Sequence, residues 1–184
     1  MRLLGLLILT LIDGCSARPV ERAQVVVDAP HLRVMTYNVN FGGAGMDLAV
    51  AAIMEAGADI VCLQETTPQW EAVLRRDLSS VYPHMEFRHA GGAGGQGILS
   101  KFDLEEVAYV KQTPGWFPGW IVKARTSLGQ VQLVNVHLRP PLAEGGSVTA
   151  SAYLGTGSIR REEVQILSQK LEAGTAAIIR GGFQ

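Results

Sequence analysis

Cysteine is nearly absent: Cys15 and Cys62 are the two in 184 residues, so no disulfide framework is expected. If Cys15 is modified or removed, Cys62 has no partner, and within Ile60-Val61-Cys62-Leu63 it reads as a small apolar residue of a buried strand. An excess of charge is absent too, with 16 Lys+Arg against 17 Asp+Glu and a net charge of −1. That balance supplies no global field to gather polyanions, so a nucleic-acid substrate would need a local basic patch. The apolar run from Leu3 to Ile12 is far shorter than the ~20 residues of a membrane-spanning helix. Repeats and low-complexity blocks are missing. The glycines at 42–43 and 91–95 lack the lysine and the strand-to-helix context of a phosphate-cradling loop, which argues against a nucleotide site of that kind.

What is present, 47% hydrophobic and 18% charged residues, suits one globular domain with a sizeable core. Arg2 followed by the apolar run matches the start and middle of a secretory signal peptide. Ile12-Asp13-Gly14-Cys15-Ser16 resembles the lipobox of bacterial lipoproteins, which makes Cys15 the expected lipidation site; a cleaved, unlipidated leader or a buried N-terminal strand is the plainer alternative. The expected organisation is residues 1–15 as signal peptide, 16–30 as linker and 31–184 as the folded domain. An exported protein follows, periplasmic or anchored to a membrane through its N-terminus, and a monomer is expected.

Within the domain the hydrophobic period alternates between two and 3.6, the pattern of mixed strands and helices. Strands are expected over His31–Asn40, Asp59–Gln64, Met85–His89, Gln96–Ser100, Leu104–Lys111, Gly119–Thr126, Gln130–His137 and Ala176–Ile179. Met46–Ala56, closed by Gly57, reads as a helix, as does the segment after Thr67-Pro68, where a capping residue precedes a proline. Gly91–Gly95 reads as a flexible connection and 139–157 as loop. Ser158 is expected to cap a last helix reaching about Ala173. Trp116-Phe117-Pro118-Gly119-Trp120 is either a lipid-touching loop or packing between sheet and loop. Arg160-Arg161 either contacts phosphate or forms a solvated face.

Polar residues at the ends of apolar strands are costly to bury unpaired and therefore mark a site or a hydrogen-bond network. Three such ends stand out: Tyr37-Asn38-Val39-Asn40, Leu63-Gln64-Glu65-Thr66 and Val134-Asn135-Val136-His137. Singly, Asn38 could serve a turn, Glu65 could face solvent and His137 could be a satisfied core histidine. Together, a carboxylate and an amide oxygen suit Mg²⁺, which keeps several waters, and an imidazole can donate to phosphoryl oxygens.

The order of these motifs resembles the endonuclease/exonuclease/phosphatase superfamily. Leu32–Asn40 and Ala58–Glu65 are similar to its opening strands, Gln96-Gly97-Ile98-Leu99-Ser100-Lys101-Phe102 to an internal strand, and Val134-Asn135-Val136-His137-Leu138 to the histidine strand of its sphingomyelinase-like and phosphatase-like branches. The resemblance implies an α/β (α+β) fold, a four-layer αββα sandwich, and in-line attack of activated water on phosphorus. It makes Asn38 and Glu65 the metal residues, His137 the phosphate contact, and Mg²⁺ the cofactor, with Mn²⁺ as the alternative ion. The implied substrate is a phosphoester of nucleic acid, phospholipid, or sugar or inositol phosphate.

Ile178-Ile179-Arg180-Gly181-Gly182-Phe183-Gln184 stands where the superfamily has a strand followed by Gly-Asp-Phe-Asn. Gly182 replaces the Asp, Gln184 replaces the Asn, and the closing Asp-His pair has no counterpart, so the sandwich is expected to be incomplete at its C-terminus. Two readings result: a Mg²⁺-dependent phosphoester hydrolase, truncated or degenerate, and a non-catalytic exported lipoprotein that keeps the superfamily's core.

Overall fold

The computed structural model describes residues 29–111 and 113–182. The expected signal peptide, Cys15, nearly all of the linker and Gln184 lie outside the described residues.

The elements in order are β1 (Val34–Asn38), α1 (Met46–Ala56), β2 (Ile60–Gln64), α2 (Pro68–Leu78), β3 (His84–Arg88), a 3₁₀ turn (Gly92–Gly94), β4 (Gln96–Ser100), β5 (Leu104–Val110), β6 (Gly119–Thr126), β7 (Gly129–His137), α3 (Ala150–Ser168) and β8 (Ala176–Gly182). They form two four-stranded sheets, ordered β1-β2-β4-β3 and β5-β6-β7-β8. Each sheet has one parallel pair, β1 with β2 and β7 with β8, and antiparallel neighbours otherwise.

Period-two alternation assigns each strand's residues to two different cores. Ile60, Cys62 and Ile98 point inward and meet Trp120, Val122 and Leu133 of the other sheet. Val61, Leu63 and Leu99 point outward and are covered by Ile53 of α1 and by Trp70, Leu74 and Leu78 of α2. Ile121, Val134 and Val136 form the outer face of the second sheet, covered by Leu167 and Val164 of α3. The result is the expected four layers, helices, sheet, sheet and helix. Cys62 is fully buried between the sheets, where loss of solvation pushes its thiol up to about 12.

Local chemistry explains most boundaries. Thr67 caps α2 by accepting the Trp70 N–H, and Pro68 supplies the first helical residue. Gly57 ends α1 at φ 56°, a left-handed conformation that favours glycine. The last helix corrects the expectation drawn from Ser158. It starts at Ala150 behind Thr149, whose hydroxyl accepts the Ala152 N–H, and it ends at Ser168. Ser158 lies inside, donating to the Gly155 carbonyl. Gly155 and Gly157 read as breakers because each costs ~1 kcal/mol in a helix, yet the buried contacts of this helix override that preference. Within 91–95, Gly92–Gly94 form a 3₁₀ turn in which Gly91 and Gly92 are exposed while Gly94 and Gly95 are buried. The chain at Gly95 runs so close to Thr66 that a Cβ there would collide with the Thr66 carbonyl oxygen.

Candidate functional site

Strand tips from both sheets meet at one end of the sandwich. Asn38 of β1 is in register with Gln64 of β2, Gln96 of β4 sits opposite Gln64, and His137 of β7 is paired with Gly182 of β8. Gln64 and Asn135 are fully buried and tie the sheets together. Gln64 Nε2 donates to Asn135 Oδ1 at 2.7 Å, while Asn135 Nδ2 donates to the carbonyls of Leu63 and Gly97 at 3.0 and 3.2 Å. Gln96 Nε2 adds bonds to the carbonyls of Pro118 and Asn135. Gln64 and Asn135, buried amides bonded to each other across the sheet interface, specify how the two sets of tips face one another.

Strand alternation would place Glu65, the residue after Gln64, on the outer face. Its backbone instead turns left-handed, at φ 62°, and swings the carboxylate back toward the other sheet. Such a conformation is uncommon for a non-glycine residue and costs of order 1–3 kcal/mol, strain that concentrates at functional positions. Asn38 Nδ2 donates to Glu65 Oε1 at 2.7 Å and the Phe41 N–H to Oε2 at 3.2 Å. The Asn38 oxygen accepts the Asn40 N–H at 3.0 Å, and the Trp70 indole secures that loop by donating to the Asn40 carbonyl.

His137 completes the group, with Nε2 3.8 Å from Glu65 Oε1. Its Nδ1–H donates to the Ala93 carbonyl at 3.3 Å, and the Phe117 ring stacks on the imidazole at 4.3 Å and 9°. Glu65 is 7% exposed and His137 3%. Among the described residues, His137 is the one cationic group within ion-pair distance of Glu65, and only when protonated. A buried carboxylate so placed is stabilised by a bound cation.

The structure therefore brings Asn38, Glu65 and His137 together. Gly182 lies opposite His137 and offers no side-chain proton acceptor at that tip. Among the described residues no three His, Cys, Asp or Glu side chains gather as a ligand cage. The donors present, one carboxylate beside one amide, match a hard cation that keeps most of its waters. Each Glu65 oxygen accepts one hydrogen bond and keeps a lone pair for an ion, while the Asn38 amide bonds to Glu65 and to Asn40.

The aromatic loop resolves as packing. Phe117 lies on His137, Trp116 lies under the Arg139 guanidinium at 3.6 Å, and Trp120 is buried between the sheets. The stacking of Phe117 had no signal in sequence spacing. Arg160 uses its Nε–H to donate to the Arg139 carbonyl.

The profile of the Endonuclease/Exonuclease/phosphatase family matches residues 35–179. Comparison by sequence with curated proteins finds no match. Among solved structures, TDP2 from C. elegans is similar with a TM-score of 0.56 and 21% identity, covering 82% of this chain and 47% of that one. Sphingomyelinase C from Streptomyces griseocarneus gives 0.57 and 20%, covering 83% and 64%, and an AP endonuclease from Archaeoglobus fulgidus gives 0.54 and 15%, covering 82% and 56%. The chain thus spans less than two thirds of the length of each of these three proteins. Among the described residues no helix is long and apolar enough to cross a membrane.

Proposed function

Because the chain belongs to the endonuclease/exonuclease/phosphatase family, we propose that it is a Mg²⁺-dependent phosphoester hydrolase acting at the cleft of Asn38, Glu65 and His137. The observation that carries this reading is the convergence of those three side chains from three strands in two sheets. Glu65 would hold the ion through its carboxylate, and Asn38 would keep that carboxylate in place. When bound, Mg²⁺ or Mn²⁺ supplies neutralisation of charge on the phosphoryl oxygens as water attacks. As an imidazolium, His137 would give its Nε2–H to a phosphoryl oxygen while Nδ1–H keeps the Ala93 carbonyl.

The test is hydrolysis of bis(p-nitrophenyl) phosphate with Mg²⁺ and with EDTA, for the unaltered chain and for Glu65→Ala. Turnover should need the metal and vanish with Glu65→Ala; turnover surviving either change ends the reading.

Gly182 favours a second reading. Loss of a general base typically costs ~10²- to 10⁴-fold in rate. A protein without one could persist as an exported lipoprotein that retains the family's core, and absence of metal-dependent turnover would support this. On either reading Cys15 is the proposed lipid anchor, so Cys15→Ala should release the chain from membranes. The substrate class is a phosphoester of nucleic acid, phospholipid, or sugar or inositol phosphate, and the balanced net charge disfavours nucleic acid.

A further inference from the structure

Beyond the cleft, the segment joining β7 to α3 folds over the first two turns of that helix and leaves a cavity of about 330 Å³, inside the ~300–1,000 Å³ range of small-molecule sites. Leu142, Ala143, Ala152 and Ile159 give it an apolar wall. Two polar groups of the lining are buried without hydrogen-bond partners among the described residues. Arg139 is 7% exposed and its Nε makes no hydrogen bond; Thr156 is 4% exposed and its hydroxyl makes none. Leaving such groups unpaired is costly, more so for a charged one, and a ligand that brings acceptor oxygens to them relieves that cost.

The Arg139 side chain is held for such a role. Its guanidinium lies 3.6 Å above the Trp116 ring centroid, and its terminal nitrogen donates to the Leu142 carbonyl and to Glu144. The Nε–H is left over. Glu144, whose side chain is 88% exposed, offsets part of the positive charge at the cavity and can swing into solvent when an anion enters. The N-terminal turns of α3 also line the cavity, and their dipole favours negative charge there.

We propose that this cavity binds a small oxyanion carried on an apolar body, with the anionic head at Arg139 and Thr156 and the body against Leu142 and Ile159. An alkyl phosphate and an alkyl carboxylate share that chemistry. The site contains none of the residues assigned to hydrolysis, so the proposal stands or falls apart from the phosphoesterase reading.

Gly155 offers a clean block. It lines the cavity, and a Cβ built on it meets nothing within 4 Å, so Gly155→Leu places its side chain in open space and also suits a helix better. The experiment titrates the purified chain in EDTA with hexyl phosphate, hexanoate and inorganic phosphate, following heat by calorimetry and the Arg139 Nε–H signal by NMR. Hexyl phosphate or hexanoate should bind saturably at about 1 mM or tighter, more strongly than inorganic phosphate, and should shift the Arg139 signal; which of the two is preferred identifies the head group. Gly155→Leu, with an unchanged or raised melting temperature, should abolish binding. Arg139→Lys and Thr156→Val should each weaken it, by about tenfold for the arginine. No saturable binding of either alkyl ligand, equal binding of inorganic phosphate, or binding that survives Gly155→Leu overturns the proposal.

Discussion

The two sheets contribute unequal halves to the candidate cleft. The tip of the first sheet is fully furnished: Glu65 is turned inward by a left-handed backbone and held by Asn38 and the Phe41 N–H. The tip of the second carries His137, fixed by Ala93 and Phe117, beside Gly182, which carries nothing. On the proposed reading the first half would hold a cation and the second would touch phosphate; among the described residues the second tip pairs His137 with Gly182, which has no side chain to take the proton of an attacking water. On that reading the protein keeps the electrostatic part of a phosphoesterase site without this acid–base group. The strands that position each side chain do not depend on that missing group.

The sharpest way to break this asymmetry is to furnish the second tip. Gly182→Asp places a carboxylate beside His137 and should raise metal-dependent hydrolysis of bis(p-nitrophenyl) phosphate by ~10²-fold or more. An unchanged rate would mean that the proton acceptor is not what the second half lacks. Next in size is the bridge between the halves. Asn135→Leu removes three side-chain hydrogen bonds and leaves Gln64 Nε2 without its partner in the other sheet. Urea denaturation should show a loss of about 3 kcal/mol or more; a loss below about 1 kcal/mol would show that apolar packing alone holds the sheets in register.

Smaller still is the contribution of Phe117. Removing its ring in Phe117→Ala should free the imidazole and cost about 1 kcal/mol, visible as changed NMR signals of His137 with the Glu65 side undisturbed. Comparable changes at both would show that the two halves are not independent. The smallest effect belongs to the far end of the first sheet. There burial alone would raise the Asp59 carboxyl, yet the Arg33 N–H and the Lys101 ammonium hold it below the usual carboxylate range. A depressed folded value stabilises the protein above the unfolded value and is lost as the pH falls through the folded one. Stability should thus decline below about pH 4, and Asp59→Asn should flatten that part of the curve. A curve unchanged by Asp59→Asn would assign the acid sensitivity to other carboxylates.

Much of this molecule was legible in its sequence, for identifiable reasons. β4, β6, α1 and α2 lie where period and caps put them, because Thr67-Pro68 and Gly57 act within a single turn of chain. α3 starts earlier than its local signals imply, because Gly155 and Gly157 carry a preference that buried contacts overrule. Asn38, Glu65 and His137 could be singled out because polar groups ending apolar strands are conspicuous. Phe117 could not, since nothing in a loop's composition says which ring it will cover.

The order of strands and helices, the two faces of each strand and the polar tips were determined by the sequence itself, since periodicity and capping are short-range effects. Tertiary structure alone decided that Glu65 turns inward, that Gln64 meets Asn135 across the sheets, and that Arg139 and Thr156 share a cavity. Each of those depends on groups far apart in the chain being held within a hydrogen bond's length, which only the packed fold enforces.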